Sequence, residues 1–388
     1  MIGAGIPTVP AGLSRNPESN LSKLIRLRID AGDFPSAVYV VAENGKAIFA
    51  DALGDAVRAP EMHAATLETI YDLASLTKPL VTGLLCARLV ESGRLTLDSS
   101  VAQYLQEFDR ADKHQITVRE LLTHTSGLPA WRPLYLTAGD KEGALAAMAN
   151  EKLVYKTGKR VAYSDLGFIV LGFLLQRLTG APFDQLAQRD IIDPLKLRRT
   201  FFNPARELRT DIAASETGNA YELAMCEGDL SSTAPESKSW AWRKQIIWGE
   251  VHDGNAYFLG GAAGHAGLFS TASETLRLAD QFIAARSELL SKETCDLFRQ
   301  NMTKGLNEAR SFAWQLAATK DSTAGPALSR DAFGHNGFTG TSCWIDAERQ
   351  RVFVLLTNRT HDHPLPFINI NATRRQFHTL AVSALGNL

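Results

Sequence analysis

The sequence predicts an α+β fold: one antiparallel sheet assembled from both ends of the chain, with a mostly helical segment inserted between them. Three observations lead to it. A β-rich hairpin pattern, "SAVYVVAENGKAIFADALG", occupies residues 36–54 about an Asn44-Gly45 turn. Strand-like runs return only near the C-terminus, in "SFAWQLA", "GTSCWIDAE" and "RQRVFVLLTN". The stretch between them carries helical spacing and loops. A lone hairpin is marginal in water, so the N-terminal pair needs the C-terminal strands as partners. The expectation is one discontinuous unit over residues 15–388, with an α/β part from 15–85 and 265–388 and a helical and loop part from 86–264.

Each element has its own local signal. "NLSKLIRLRIDAG" spaces Leu and Ile as a helix does and stops at Gly32. "TKPLVTGLLCARLVESG" reads as a helix with Pro79 in its first turn, where a missing N–H costs little, and Gly93 at its end. "TVRELLTH", "KEGALAAMAN", "SDLGFIVLGFLLQRLTG", "FDQLAQRDII" and "SETLRLADQFIAARSELL" follow as helices. Residues 201–262 are rich in Ser, Gly, Asn and Trp without a period, and read as long loops. "ATRRQFHTLAVSAL" closes the chain as a helix.

Composition excludes several classes. The chain has 388 residues, 45% hydrophobic and 21% charged, which suits a large globular core. Its 41 basic and 42 acidic side chains leave a net charge of −1, so no field steers it to nucleic acid. The start "MIGAGIPTVPAGLSRN" lacks the basic and apolar regions of a secretory signal. The apolar run "LGFIVLGFLL" is too short to span a bilayer. The expectation is a soluble, cytoplasmic protein. Cys86, Cys226, Cys295 and Cys343 are scattered and read as free buried thiols.

The chemistry begins at "DLASLTKPLVTGLL". Ser75 and Lys78 stand three apart at a helix start, on one face. A serine hydroxyl needs a base within reach and a site that stabilises an oxyanion, and a helix N-terminus favours developing negative charge. Serine is also a preferred cap, so the pair alone does not decide. Two further stretches do. "VAYSDLGFIVLG" sets Tyr163, Ser164 and Asp165 before an apolar helix, and "FGHNGFTGTSCWID" sets His335, Asn336 and Gly337 before a strand.

The ordered set S-L-T-K, Y-S-D and H-N-G resembles the serine hydrolases of the class C beta-lactamase and penicillin-binding protein superfamily, which includes family VIII carboxylesterases. The likeness extends through "LLTHTSGLPAW", "GEVHDGNAYFLGGAAGHAGLFSTA" and "VLLTNR". It implies a beta-lactamase-like fold and a reaction through an acyl-enzyme, with no cofactor and no metal. By resemblance, Ser75 is the nucleophile, Lys78 tunes or accepts its proton, and Tyr163 is the other proton carrier. His335 stands where many members carry the lysine of Lys-Thr-Gly, and would add a donor whose charge depends on pH. The backbone N–H groups of Ser75 and Phe338 would form the oxyanion hole. Gly337, Asp165 and Trp131 would line the substrate site.

A literal Lys-Thr-Gly occurs at Lys156, Thr157 and Gly158, but it lies just before Tyr163 and reads as a turn. His361 and His363 lack a third ligand and read as loop residues.

The substrate expected is a small-molecule ester or amide. Asp165 stands where beta-lactamases carry Asn, and a carboxylate there would repel anionic groups unless it only caps the helix. His335 for lysine lowers the positive charge available to a substrate carboxylate. Both features favour a carboxylesterase for small neutral acyl esters. D-alanyl-D-alanine carboxypeptidase, beta-lactamase-type and D-aminopeptidase activities stay open, and the long "GEVHDGNAYFLGGAAGHAGLFS" segment resembles a subgroup that includes the carboxypeptidases. His265 within it reads as a brace for the Gly-rich turn. Oligomeric state is left open.

Overall fold

A computed structural model describes residues 19–229 and 240–386. The opening residues 15–18 of the expected unit, and residues 387–388 at its end, lie outside them.

Seven strands form one antiparallel sheet: β1 (Ser36–Glu43), β2 (Lys46–Val57), β3 (His63–Ala64), β6 (Gln315–Leu316), β7 (Phe333–Asn336), β8 (Ser342–Asp346) and β9 (Arg351–Thr357). Their order is β3-β2-β1-β9-β8-β7-β6. The hairpin turns at Asn44 and Gly45, both with positive φ. β1 pairs β9 from Ala37↔Thr357 to Glu43↔Arg351, so the two ends of the chain meet in mid-sheet, as expected. β4 (Tyr71–Asp72) and β5 (Phe269–Ser270) make a small second ladder.

The period of two decides which face each strand residue covers. Val38, Val40, Ala42, Ile345, Val352 and Val354 enter the main core, which continues without a break into the helical part through Leu121, Phe168 and Leu171. Ala37, Tyr39, Val41, Trp344 and Phe353 turn the other way. There they meet Leu21 and Ile25 of the helix Asn20–Asp30, and Phe377 and Ala381 of the helix Asn371–Gly386. Fully burying a side chain of this size stabilises by roughly 1.5–3 kcal/mol, so these alternating rows fix the register. Cys343 sits in the main core, and all four cysteines are buried and outside any disulfide.

Several element expectations need correction. "SFAWQLA" contributes only two strand residues, Gln315–Leu316. His335 and Asn336 precede the strand β8 as expected, but they also end a strand of their own, β7. Residues 201–262 hold helices Ala220–Asp229 and Gly254–Phe258, which their glycines and short apolar runs hide. The helix begun at Ala272 stops at Ala279 and passes through a 3-10 turn to Phe282, because Asp280 turns back to bond Arg286. Among the described residues, no single helix is long and apolar enough to cross a membrane.

Candidate active site

The Ser75 segment is held by its neighbours on both sides. Ala74 adopts a positive φ of 48°, a conformation that costs a non-glycine residue about 1–2 kcal/mol. Asp72 compensates: its Oδ1 accepts the Ala74 N–H at 2.8 Å and its Oδ2 accepts the His252 N–H at 2.8 Å. The 3-10 turn Ala74–Leu76 then leads into a π-helical turn, Lys78–Gly83, and the helix Leu84–Glu91. The loop after β7 is stitched to the same backbone. Thr339 Oγ1 donates to Asp72 O, and Thr341 Oγ1 donates to Leu73 O.

Lys78 is fully buried and donates to Ser75 Oγ at 2.9 Å. It also donates to His265 O at 3.0 Å and lies 2.6 Å from Asp165 Oδ1. Burial alone would lower its pKa, but Asp165 and Tyr163 outweigh burial and raise it. The carbonyls of residues 264 and 265 reach this point because glycine allows it. A Cβ on Gly264 would stand 2.1 Å from Phe168 O and 2.9 Å from Gly172 N, so the Gly-rich segment threads closely past the helix Asp165–Thr179. His265 serves as the expected brace: its Nε2 bonds Asp253 Oδ1 at 2.8 Å.

Tyr163 is presented by the turn before that helix. Its ring centroid lies 5.0 Å from Lys78 Nζ. Burial and Asp165 raise its pKa, against hydrogen bonds to Lys78 and Ser75 that lower it.

Asp165 differs from both readings of it. Ser164 is the helix cap, accepting the Gly167 N–H, and Asp165 is instead the counter-ion of Lys78. It is therefore no free anion in the cleft.

His335 also differs. Its Nδ1 bonds Asn336 O at 2.9 Å. A carbonyl only accepts, so Nδ1 carries the proton and Nε2 is left as an acceptor. Burial first, and then Lys78 and Arg310, push its pKa well below the ordinary imidazole value. It is neutral at pH 7 and not a charged donor.

Ser75, Tyr163, Asp165, His335, Gly337, Phe338 and Trp131 all line one cleft of about 450 Å³. Gly337 O accepts from the buried Arg374 at 2.9 Å. In a trans peptide the N–H points opposite to the C=O, so the Phe338 N–H faces away from Arg374. Lys156–Gly158 forms a turn bonded to Ser126 O and lies outside this cleft. His361 accepts from the Arg58 N–H and His363 bonds Gly32 O, so the pair is used in backbone contacts.

The Beta-lactamase family matches residues 21–375. The chain belongs to the beta-lactamase family. It is a serine hydrolase. It is 30% identical over 374 residues to the N-acetylmuramyl-L-alanine amidase of Bacillus subtilis (strain 168), covering 88% of this chain and 80% of that one. It is 29% identical over 385 residues to the putative D-alanyl-D-alanine carboxypeptidase of Escherichia coli (strain K12), covering 90% and 84%. Its fold matches that of EstCE1, a hydrolase with promiscuous acyltransferase activity, at a TM-score of 0.71, 23% identity, and 93% and 97% coverage.

Sequence reasoning missed several residues of this beta-lactamase-family cleft. Arg359 and Arg374 stand behind Phe338 and Gly337 and line the cavity. Arg359 donates to the carbonyls of Phe338 and Ile368, and Arg374 to Gly337 O, Thr341 O and Asn371 Oδ1. Among the described residues neither pairs with a carboxylate. Burial and Arg359 lower the Arg374 pKa to about 9, which leaves it cationic at neutral pH. The positive charge thought missing with His335 comes from these two side chains. The same lining carries Glu222 and Asp253. Glu222 lies in a region read as loop and Arg374 in a terminal helix, whereas Asp253 and Arg359 fall in stretches that carry the family likeness but for which no role was read.

Proposed function

We propose that the protein hydrolyses a small acyl compound through an acyl-enzyme on Ser75, and that the leaving group carries a carboxylate, as in a peptide-type amide. One observation carries the mechanism: Ser75 Oγ lies 2.9 Å from a buried Lys78 ammonium, on the wall of a cleft with Tyr163. Attack forms the Oγ–C bond and moves an electron pair onto the carbonyl oxygen. The Ser75 and Phe338 N–H groups take up that charge. Lys78 and Tyr163 together receive the Ser75 proton and return it to the leaving group. Water repeats the sequence and frees Ser75.

The carboxylate preference is supported by Arg359 and Arg374, neither of which forms an ion pair with a carboxylate among the described residues, and by the pairing of Asp165 with Lys78. The names of the amidase and carboxypeptidase relatives agree with it. A second reading, a carboxylesterase for small neutral esters, is favoured by the apolar wall of Trp131, Tyr221, Met225 and Phe338.

The test uses a fluorophosphonate label, p-nitrophenyl butyrate, a D-Ala-D-Ala peptide and an N-acyl amino acid, beside Ser75→Ala. Label on the Ser75 peptide and loss of all turnover in the variant are expected. Faster turnover of the carboxylate-bearing amides favours the first reading, and turnover of the butyrate alone favours the second. Unchanged turnover in Ser75→Ala sinks both.

A further inference from the structure

We propose that Asp165 is a positioning residue that holds one proton on the Lys78–Tyr163 pair, and so sets the pH at which Ser75 becomes a nucleophile. This assignment rests on Ser75 being the nucleophile.

Capping does not explain the carboxylate. Ser164 already caps the helix, and the Asp165 N–H is spent on Ala130 O at 2.8 Å. The side chain lies instead 2.6 Å from the Lys78 ammonium, two residues after Tyr163 in the chain. Around the Lys78 nitrogen stand Ser75 Oγ, the carbonyl of His265 and this carboxylate.

The charge count gives the consequence. With Lys78 as ammonium, Tyr163 as phenol and Asp165 as carboxylate, the trio is neutral. Ser75 can lose its proton only to a pair that is already one proton short. That state is either a neutral amine beside a phenol or an ammonium beside a phenolate. Both leave the trio with a net negative charge, and the Asp165 anion opposes both. The raised pKa values of Lys78 and Tyr163 each carry a contribution from Asp165 in that direction. The two groups titrate as a unit, so the observable is a macroscopic value for the pair.

The other groups facing the pair do not cancel this. His124, from the loop below Tyr163, and His335, from β7, are both held neutral by burial. Asp253 bonds His265 Nε2 at 2.8 Å, and its charge has the same sign as that of Asp165. Arg310 lowers the pKa of both histidines and is itself paired with Glu308.

In the reaction the deprotonated pair takes the Oγ proton as the Oγ–C bond forms. It gives that proton to the leaving atom as the C–leaving-group bond breaks. It then takes a proton from water as the water–C bond forms, and returns it to Oγ as the Oγ–C bond breaks. No proton is gained or lost over the cycle.

The experiment measures the rate of fluorophosphonate labelling of Ser75 between about pH 5 and pH 10 in the wild type, Asp165→Asn and Asp165→Glu. The wild type should label on an alkaline limb. Asp165→Asn should move that limb down by about 1–3 pH units, so that it labels roughly tenfold or more faster on the acid side. Asp165→Glu, which keeps the charge, should keep the limb near its wild-type position. Should Asp165→Asn fail to fold, Asp165→Ser removes the same charge without added bulk and is read in the same way. A limb that stays in place or moves up once the charge is gone overturns the proposal. No labelling of Ser75 in any of the proteins at any pH overturns the nucleophile assignment, and this proposal with it.

Discussion

His124 grips three consecutive residues around Tyr163. Its ring lies 4.6 Å from the Tyr163 ring, its carbonyl accepts the Ala162 N–H, and its Nδ1 accepts the Ser164 N–H at 3.1 Å. Its own φ is 57°, a conformation that Asn tolerates better than most residues. His124→Asn can keep both the backbone angle and the acceptor, whereas His124→Phe keeps only the ring. His124→Phe should therefore lower kcat by about 10–100-fold with little change in KM, as expected when a proton carrier is displaced by a fraction of an ångström. His124→Asn should fall less. Equal kcat in wild type and His124→Phe would refute the clasp.

Gly337 admits no side chain. A Cβ there would stand 2.0 Å from Thr341 Oγ1 and 2.6 Å from Leu73 O, both backbone-anchoring contacts of the nucleophile segment. Gly337→Ala should push the Phe338 N–H away from Ser75 and lower kcat by roughly 10²–10³, the usual cost of one oxyanion donor. Steady-state kinetics with p-nitrophenyl butyrate reads this, with circular dichroism as a check on folding.

Arg374 has two tasks, bracing Gly337 O and presenting charge to the cleft. Arg374→Ala should therefore slow every substrate. The discriminating quantity is the ratio of kcat/KM for an N-acyl amino acid to that for a neutral ester. Loss of a charged contact to carboxylate should cut this ratio by about tenfold or more. An unchanged ratio would assign Arg374 to the loop alone.

Glu222 donates nothing and accepts from Tyr135 Oη at 2.7 Å and the Gly254 N–H at 2.7 Å. Burial first, and Asp253 next, raise its pKa to about 7. A carboxyl raised on folding binds its proton more tightly in the native state. The stability it contributes is full below the ordinary glutamate range and is lost as pH rises toward 7. Glu222→Gln should thus be near neutral at acid pH and stabilising above about pH 7, by on the order of 1–3 kcal/mol. Urea melts at two pH values decide it, and equal effects at both would count against the shift.

The fold was largely legible because its signals are local and periodic. Ser36–Glu43 is a short apolar β-rich run, "ENGK" turns, and Leu21 and Ile25 of Asn20–Asp30 share a buried face. The meeting of Ser75, Lys78 and Tyr163 was legible because their motifs stand in order along the chain. What failed was polarity. The sequence gives no sign that Asn336 O claims His335 Nδ1, or that Ser164 caps the helix and frees Asp165 for Lys78. Those depend on backbone direction, which no pattern encodes. Arg359 and Arg374 were missed for a related reason: their partners are backbone carbonyls far along the chain, which carry no residue identity.

The pairing of β1 with β9 bears on how the protein is made. Ser36 N–H bonds Asn358 Oδ1 across 322 residues, and the same amide side chain bonds Ala56 O. The first hairpin leaves the ribosome long before its middle partner exists, with one edge and both apolar faces uncovered. Closing so long a loop is slow, and exposed strands awaiting a partner invite association between chains. Synthesis at high levels should accordingly leave much of the product aggregated unless a chaperone shelters that hairpin until Arg351–Thr357 arrives.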